Sequence, residues 1–78
     1  MERIYLHELI DILYRYQAHG FPFELEVRED YAKVMIDFCD QWKCEVCLNE
    51  RGLRYFKERA QRKYLEYLRI NELEAVAI

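Results

Sequence analysis

Two short runs in which apolar and polar side chains alternate constrain this chain more than anything else in it. Phe23, Leu25 and Val27 alternate with Glu24 and Glu26, and Cys44, Val46 and Leu48 alternate with Lys43, Glu45 and Cys47. Successive side chains of an extended backbone point to opposite faces, so each run predicts a strand with one buried side. A chain with two such strands must build a sheet and cover one face of it, and the flanking segments have to supply the cover.

They are suited to it. Near the N-terminus, Tyr5, Leu6, Leu9, Ile10, Ile12, Leu13, Tyr14 and Tyr16 fill one broad arc at about 100° per residue, with Glu8, Asp11 and Arg15 opposite, which predicts a helix over residues 1–19. His19, Gly20 and Pro22 end it, because Gly takes the left-handed conformation at a helix C-terminus and Pro cannot continue one. The arc is wider than a small sheet requires. The flank bearing Tyr5, Ile12 and Tyr16 therefore calls for a second surface, either the last helix or another subunit.

Residues 30–42 admit two readings. As a helix, Asp30 is the N-cap and Tyr31, Val34, Met35, Phe38 and Trp42 form a stripe, with Lys33, Asp37, Asp40 and Gln41 on the other side. As a strand, Ala32, Val34, Ile36 and Phe38 face inward opposite Val27, Leu25, Phe23 and Phe21 across a tight Glu29-Asp30 turn, and Glu26 meets Lys33. The helix is preferred here because Glu-Asp lacks the Gly or Asn that two-residue hairpin turns favour. Acidic residues also suit a helix N-terminus and Lys43 suits the far end.

After the second alternating run the stretch NERGLRYFKERA is again two-sided. Asn49 can cap a long helix with Leu53, Phe56, Ala60, Tyr64, Tyr67 and Asn71 along one stripe, or Gly52 can close a hairpin leading to a further strand at residues 53–57. In both cases a helix covers about residues 58–71. Leu73, Val76 and Ile78 then make an apolar tail, docked on the fold or offered to a partner.

The expected fold is a small two-layer α/β (α+β) domain in the order α-β-α-β-(β)-α, its first two strands parallel through a right-handed crossover, with α-β-β-β-α as the alternative. Seventy-eight residues form a single domain, near the size at which one core barely offsets chain entropy without a staple or a partner. No apolar run reaches the roughly 18 residues that read as a membrane span, so no membrane partner is expected. Three Cys, an odd number, and no leader pattern point to a reduced, intracellular, cytoplasmic chain.

The chemistry is sparse. Ser and Thr are absent, which removes Ser and Thr nucleophiles and phosphorylation at Ser or Thr. Cys39, Cys44 and Cys47 fit a C-x4-C-x2-C spacing reminiscent of an iron-sulfur site, but a fourth Cys is missing, and positions 44 and 47 of a strand point to opposite faces. His7 and His19 lie about three turns apart and find no converging ligands. The numerous carboxylates follow from the solvent sides of amphipathic elements. No enzyme, no metal and no cofactor are expected.

Residues 51–69 stand apart. Six basic side chains and one acid lie between Arg51 and Lys63, and residues 51–78 carry a net +3 against −6 for residues 1–50. In a helix, Arg51, Tyr55, Arg59, Arg62 and Arg69 share the side opposite the apolar stripe, with Lys63 nearby. Arg54, Glu58, Arg62 and Glu66 also spell an i, i+4 ladder of alternating sign, the pattern of a self-paired face.

Tyr, Trp and Arg are the types enriched at interface centres. The expected function is a non-catalytic protein–protein interaction module, a small intracellular regulator or inhibitor, with a homodimer as one form and a viral or mobile-element product as a setting that suits its size. Its partner-binding residues would be Arg51, Tyr55, Arg59, Arg62, Lys63 and Arg69. The alternative is nucleic-acid binding through the same helix, where Arg and Lys meet phosphate and Tyr stacks on bases; a metal or iron-sulfur protein ranks third.

Overall fold

The computed structural model describes residues 4–74. Helix α1 (Ile4–Ala18) is followed by strands β1 (Phe23–Val27), β2 (Tyr31–Asp37) and β3 (Gln41–Cys47), and helix α2 (Glu50–Ile70) closes the chain. The sheet is an antiparallel meander in the order β1-β2-β3. Both helices cover one face of it, with α1 over β1 and α2 over β3. The domain is thus two-layered, in the alternative order α-β-β-β-α.

The preferred helix over residues 30–42 is corrected: most of that segment is the central strand of the sheet, and it separates the two alternating runs expected to pair in parallel. Phe23 pairs with Ile36, Leu25 with Val34, Val27 with Ala32 and Glu26 with Lys33. The missing Gly or Asn does not matter, because Glu29 and Asp30 turn without positive φ. The Arg28 N–H donates to the Tyr31 carbonyl at 2.8 Å and the Leu48 N–H reaches back to the Asp30 carbonyl at 3.1 Å. That second bond ties the turn to the end of β3. The further strand at residues 53–57 does not form either, since those residues lie within α2.

Burial explains the preference for a strand. Ala32, Val34, Ile36 and Phe38 are all buried on the helix side of β2, joined by Cys44 and Val46 of β3. Lys33, Lys43, Glu24, Glu26 and Glu45 occupy the open side, with Tyr31 and Met35 half-buried among them. Aromatic rings weld the layers together. Phe21 stands between Phe38, Tyr64 and Tyr67 at centroid distances of 5.0, 5.6 and 5.1 Å, and Tyr16 meets Phe38 and Tyr64 edge-on at 5.7 and 6.2 Å. Such tilted and edge-to-face pairs suit the ring quadrupole. Tyr16 and Ile12 are therefore covered by the chain's own α2 side, and Tyr5 packs half-buried against the core.

Both helices end in a left-handed residue. Gly20 has φ of 92°, and the Phe21 N–H donates to the Tyr16 carbonyl at 3.0 Å. At the end of α2, Glu72 takes φ of 53° while the Leu73 N–H donates to the Leu68 carbonyl at 2.9 Å. Both are Schellman closures, and the second uses a residue that carries a Cβ penalty there. Leu73 is half exposed, and residues 76 and 78 of the expected apolar tail lie outside the described residues.

Candidate interaction surface on the second helix

Helix α2 starts where the sequence places a cap. The Asn49 side chain accepts the Gly52 N–H at 2.7 Å, and Gly52 lets the first turn press against Cys47, since a Cβ there would stand 2.1 Å from the Cys47 carbonyl oxygen. This close approach fixes the phase of the helix over β3. Leu53, Phe56, Ala60, Tyr64 and Leu68 turn inward, which leaves Arg51, Tyr55, Arg62 and Arg69 exposed on the opposite side.

The six expected contact residues divide into two groups. Arg51, Tyr55, Arg62 and Arg69 share the solvent side. Arg59 and Lys63 do not: their long side chains bend back from the flank of the helix onto Trp42 and Asp40. The Arg59 guanidinium lies over the Trp42 ring at 5.8 Å and over the Tyr55 ring at 5.3 Å, and its Nη1 is 3.6 Å from the Cys44 sulfur. Lys63 sits 3.4 Å from Asp40 and 4.0 Å from Glu66, with its side chain only 24% exposed. Both are part of how α2 is fastened to β3 and to the turn before it.

Trp42 and Asp40 are the residues that sequence reasoning misses here. Trp42 is in phase with Cys44 and Val46 along β3, and that alternation is the signal that places it toward α2. The result is a stack of Trp42, Arg59 and Tyr55. Each cation–π contact contributes about 0.5–1 kcal/mol where exposed, and the stack holds Tyr55 in place although 59% of it is open to solvent.

The charge ladder read from the sequence does not form as expected. Arg54 pairs with Glu50 at 3.6 Å and Glu66 with Lys63. Among the described residues, Arg51, Arg62 and Arg69 make no ion pair. The basic face is consequently less neutralised than the ladder implies, and Leu65, 46% exposed, and Ile70, 70% exposed, add apolar area along it.

The cysteines do not converge. Cys44 is buried on the helix side of the sheet, and burial pushes its thiol pKa up, against the lowering influence of Arg59 and with a smaller push from Glu45. Cys47 is exposed, facing away from the core, and Cys39 is exposed in the β2–β3 turn with φ of 75°. The Cys39 N–H is accepted by Asp37 Oδ1 at 2.9 Å. The Tyr67 phenol beside that turn is raised in pKa by burial first, then by the charge and hydrogen bonding of Cys39. All three are free thiols. Among the described residues no group of three His, Cys, Asp or Glu side chains is placed to hold a metal ion, and no helix is long and apolar enough to cross a membrane.

Comparison with protein-family models, with curated proteins and with solved structures finds nothing that matches this chain.

Proposed function

We propose that this protein is a non-catalytic protein-binding module, a small regulator or inhibitor that acts by covering an acidic surface of a partner protein with the solvent face of α2. The observation that carries the reading is Tyr55, exposed yet held by Arg59 on Trp42, between the unpaired guanidiniums of Arg51 and Arg62. Arg51 and Arg62 are about 16 Å apart along the axis at 1.5 Å per residue, a span suited to one interface patch.

An aromatic side chain already fixed in place loses little rotamer freedom on binding, and Tyr and Arg are the types that concentrate interface energy. Arginine also gives bidentate contacts to carboxylates. Nucleic acid is the weaker reading because the chain is acidic overall, at −3, which opposes approach to a long polyanion more than to a local carboxylate patch.

The test is charge reversal. The double variant Arg51→Glu, Arg62→Glu touches only exposed positions, so its circular dichroism and melting temperature should match the parent, while recovery of its protein complex drops at least tenfold. Unchanged recovery would end the reading, as would a complex that nuclease treatment removes. Light scattering on the pure protein separates a second copy from a different partner.

A further inference from the structure

The free edge of β1 is a second surface, across the sheet from the strand that α2 covers, and it stands on observations of its own. The Arg28 N–H donates to the Tyr31 carbonyl at 2.8 Å and the Asp37 N–H to the Pro22 carbonyl at 2.9 Å. These bonds set the phase of the β1–β2 ladder, in which Pro22, Glu24, Glu26 and Arg28 turn their main-chain groups toward β2. In an antiparallel pair the intervening residues turn theirs away. Phe23, Leu25 and Val27 therefore present N–H and C=O groups outward, where no other described residue bonds them.

Proteins shield such an edge by shortness, charge, proline, a bulge or a cover; β1 is five residues long with two glutamates and follows Pro22. No bulge interrupts the β1–β2 register. On the helix side the edge is apolar: Phe23 and Leu25 are half-buried, Val27 is 43% exposed, and Tyr14 of α1, 57% exposed, stands edge-on to Phe23 at 5.4 Å. On the other side the strand shows Glu24 and Glu26, with Glu29 and Asp30 exposed in the following turn. Arg28, paired with Glu26, is the one base of this strand and turn, and Lys33 of β2 stands opposite Glu26 on the inner side, so Glu24, Glu29 and Asp30 carry the excess negative charge along the edge.

That acidic row decides what can dock. A two-fold antiparallel pairing of two copies that keeps the outward hydrogen-bonding phase and overlaps at least three residues of β1 centres on Glu24, Leu25 or Glu26, the last also setting Glu24 opposite Arg28. Each of these registers sets a glutamate directly opposite a glutamate, and like charges facing each other across strands destabilise a sheet. A strand with Lys or Arg at those positions meets the opposite situation.

We infer that the β1 edge docks an extended segment of a partner protein in which apolar residues alternate with Lys or Arg. The segment adds a fourth strand to the sheet. Its main chain bonds to Phe23, Leu25 and Val27, its apolar side chains lie beside those residues and Tyr14, and its cations face Glu24 and Glu26. Strand addition of this kind takes affinity from the main chain and selectivity from alternate side chains.

The experiment uses the full chain, isotope-labelled, and two capped synthetic peptides, one alternating valine with lysine and the other valine with glutamate. The lysine peptide should bind at least tenfold more tightly and slow amide exchange at Phe23, Leu25 and Val27 at least tenfold. Glu24→Lys, at an exposed position, should weaken the lysine peptide at least fivefold. Val27→Pro, which deletes one outward N–H and spares the bonds to β2, should weaken it at least tenfold. Equal affinity for the two peptides would overturn the inference, as would exchange protection centred away from β1, or unchanged binding by Glu24→Lys and by folded Val27→Pro. Protection of the same amides in the free protein at raised concentration, with a doubled mass, would make the occupant a second copy and overturn it as well. None of these outcomes bears on the Tyr55 surface.

Discussion

Replacing Gly52 by Ala sets two effects against each other, and the structure says which one wins. Helix propensity alone makes Gly→Ala in the first turn of α2 a gain of up to about 1 kcal/mol. The added Cβ, however, would stand 2.1 Å from the Cys47 carbonyl oxygen and 2.8 Å from both its carbonyl carbon and its Cβ. Ordinary contact begins near 3.4 Å, so the helix start must retreat by about 1.3 Å, because the main chain of β3 cannot rotate out of the way. Forcing such a shift in a packed layer typically costs about 1–3 kcal/mol. Retreat also pulls the Gly52 N–H from Asn49, a cap worth about 1 kcal/mol. The net expectation is a loss of about 2 kcal/mol, or roughly 10 °C in melting temperature for a domain of this size. Urea and thermal denaturation followed at 222 nm would measure it. Gly20→Ala is an informative companion, since φ of 92° penalises it by about 1–2 kcal/mol although nothing lies within 4 Å of the new methyl. A Gly52→Ala protein more stable than the parent would refute the close approach of α2 to Cys47.

Further outcomes follow from the core, the thiols and the last turn. Burial, and secondarily the charge of Tyr64, raise the Tyr16 pKa from 10.0 to about 12. Above pH 10 the unfolded chain releases this proton before the folded one does, so stability present below pH 10 is lost as pH rises toward 12. Tyr16→Phe should flatten that part of the curve in pH-dependent denaturation. A thiol reagent should modify Cys39 and Cys47 rapidly in the native protein and Cys44 only on unfolding; mass spectrometry after partial labelling identifies the order, and early modification of Cys44 would contradict its burial. Glu72→Gly should add about 0.5–1 kcal/mol in chemical denaturation, because Gly takes the left-handed position without the Cβ penalty.

The helices were largely legible because their boundary signals are local. His19, Gly20 and Pro22 mark one end and Asn49 marks one start, and each acts within a turn of where it stands. Residues 30–42 misled because Val34 and Phe38 satisfy both periods: four apart, they share a helix face and also a strand face. Ala32 and Ile36 held the answer. A helix would leave both toward its polar side, whereas they are fully buried. The Glu29-Asp30 turn could not be read locally, since the bond that ties it down comes from Leu48.

The surface shows the same division. Helical phase alone put Arg51, Tyr55, Arg59, Arg62 and Arg69 on one side, and the structure agrees for all but Arg59. It could not foresee that Arg59 is drawn onto Trp42 and Lys63 onto Asp40, because both partners come from β3 and the turn before it. The unpaired edge of β1 likewise depends on which strand is central, and that is settled by the register of β2 with both neighbours.

Site-specific photocrosslinking tests the proposed binding face most directly. A benzophenone side chain in place of Tyr55 reports on what the α2 face touches, and one in place of Glu8, exposed on α1, serves as the comparison. The account predicts an adduct with an acidic protein from position 55, little or none from position 8, and loss of the adduct when Arg51 and Arg62 are reversed in charge. Equal adducts from both positions, adducts only with nucleic acid, or no adduct from position 55 under conditions in which the complex is recovered would contradict it.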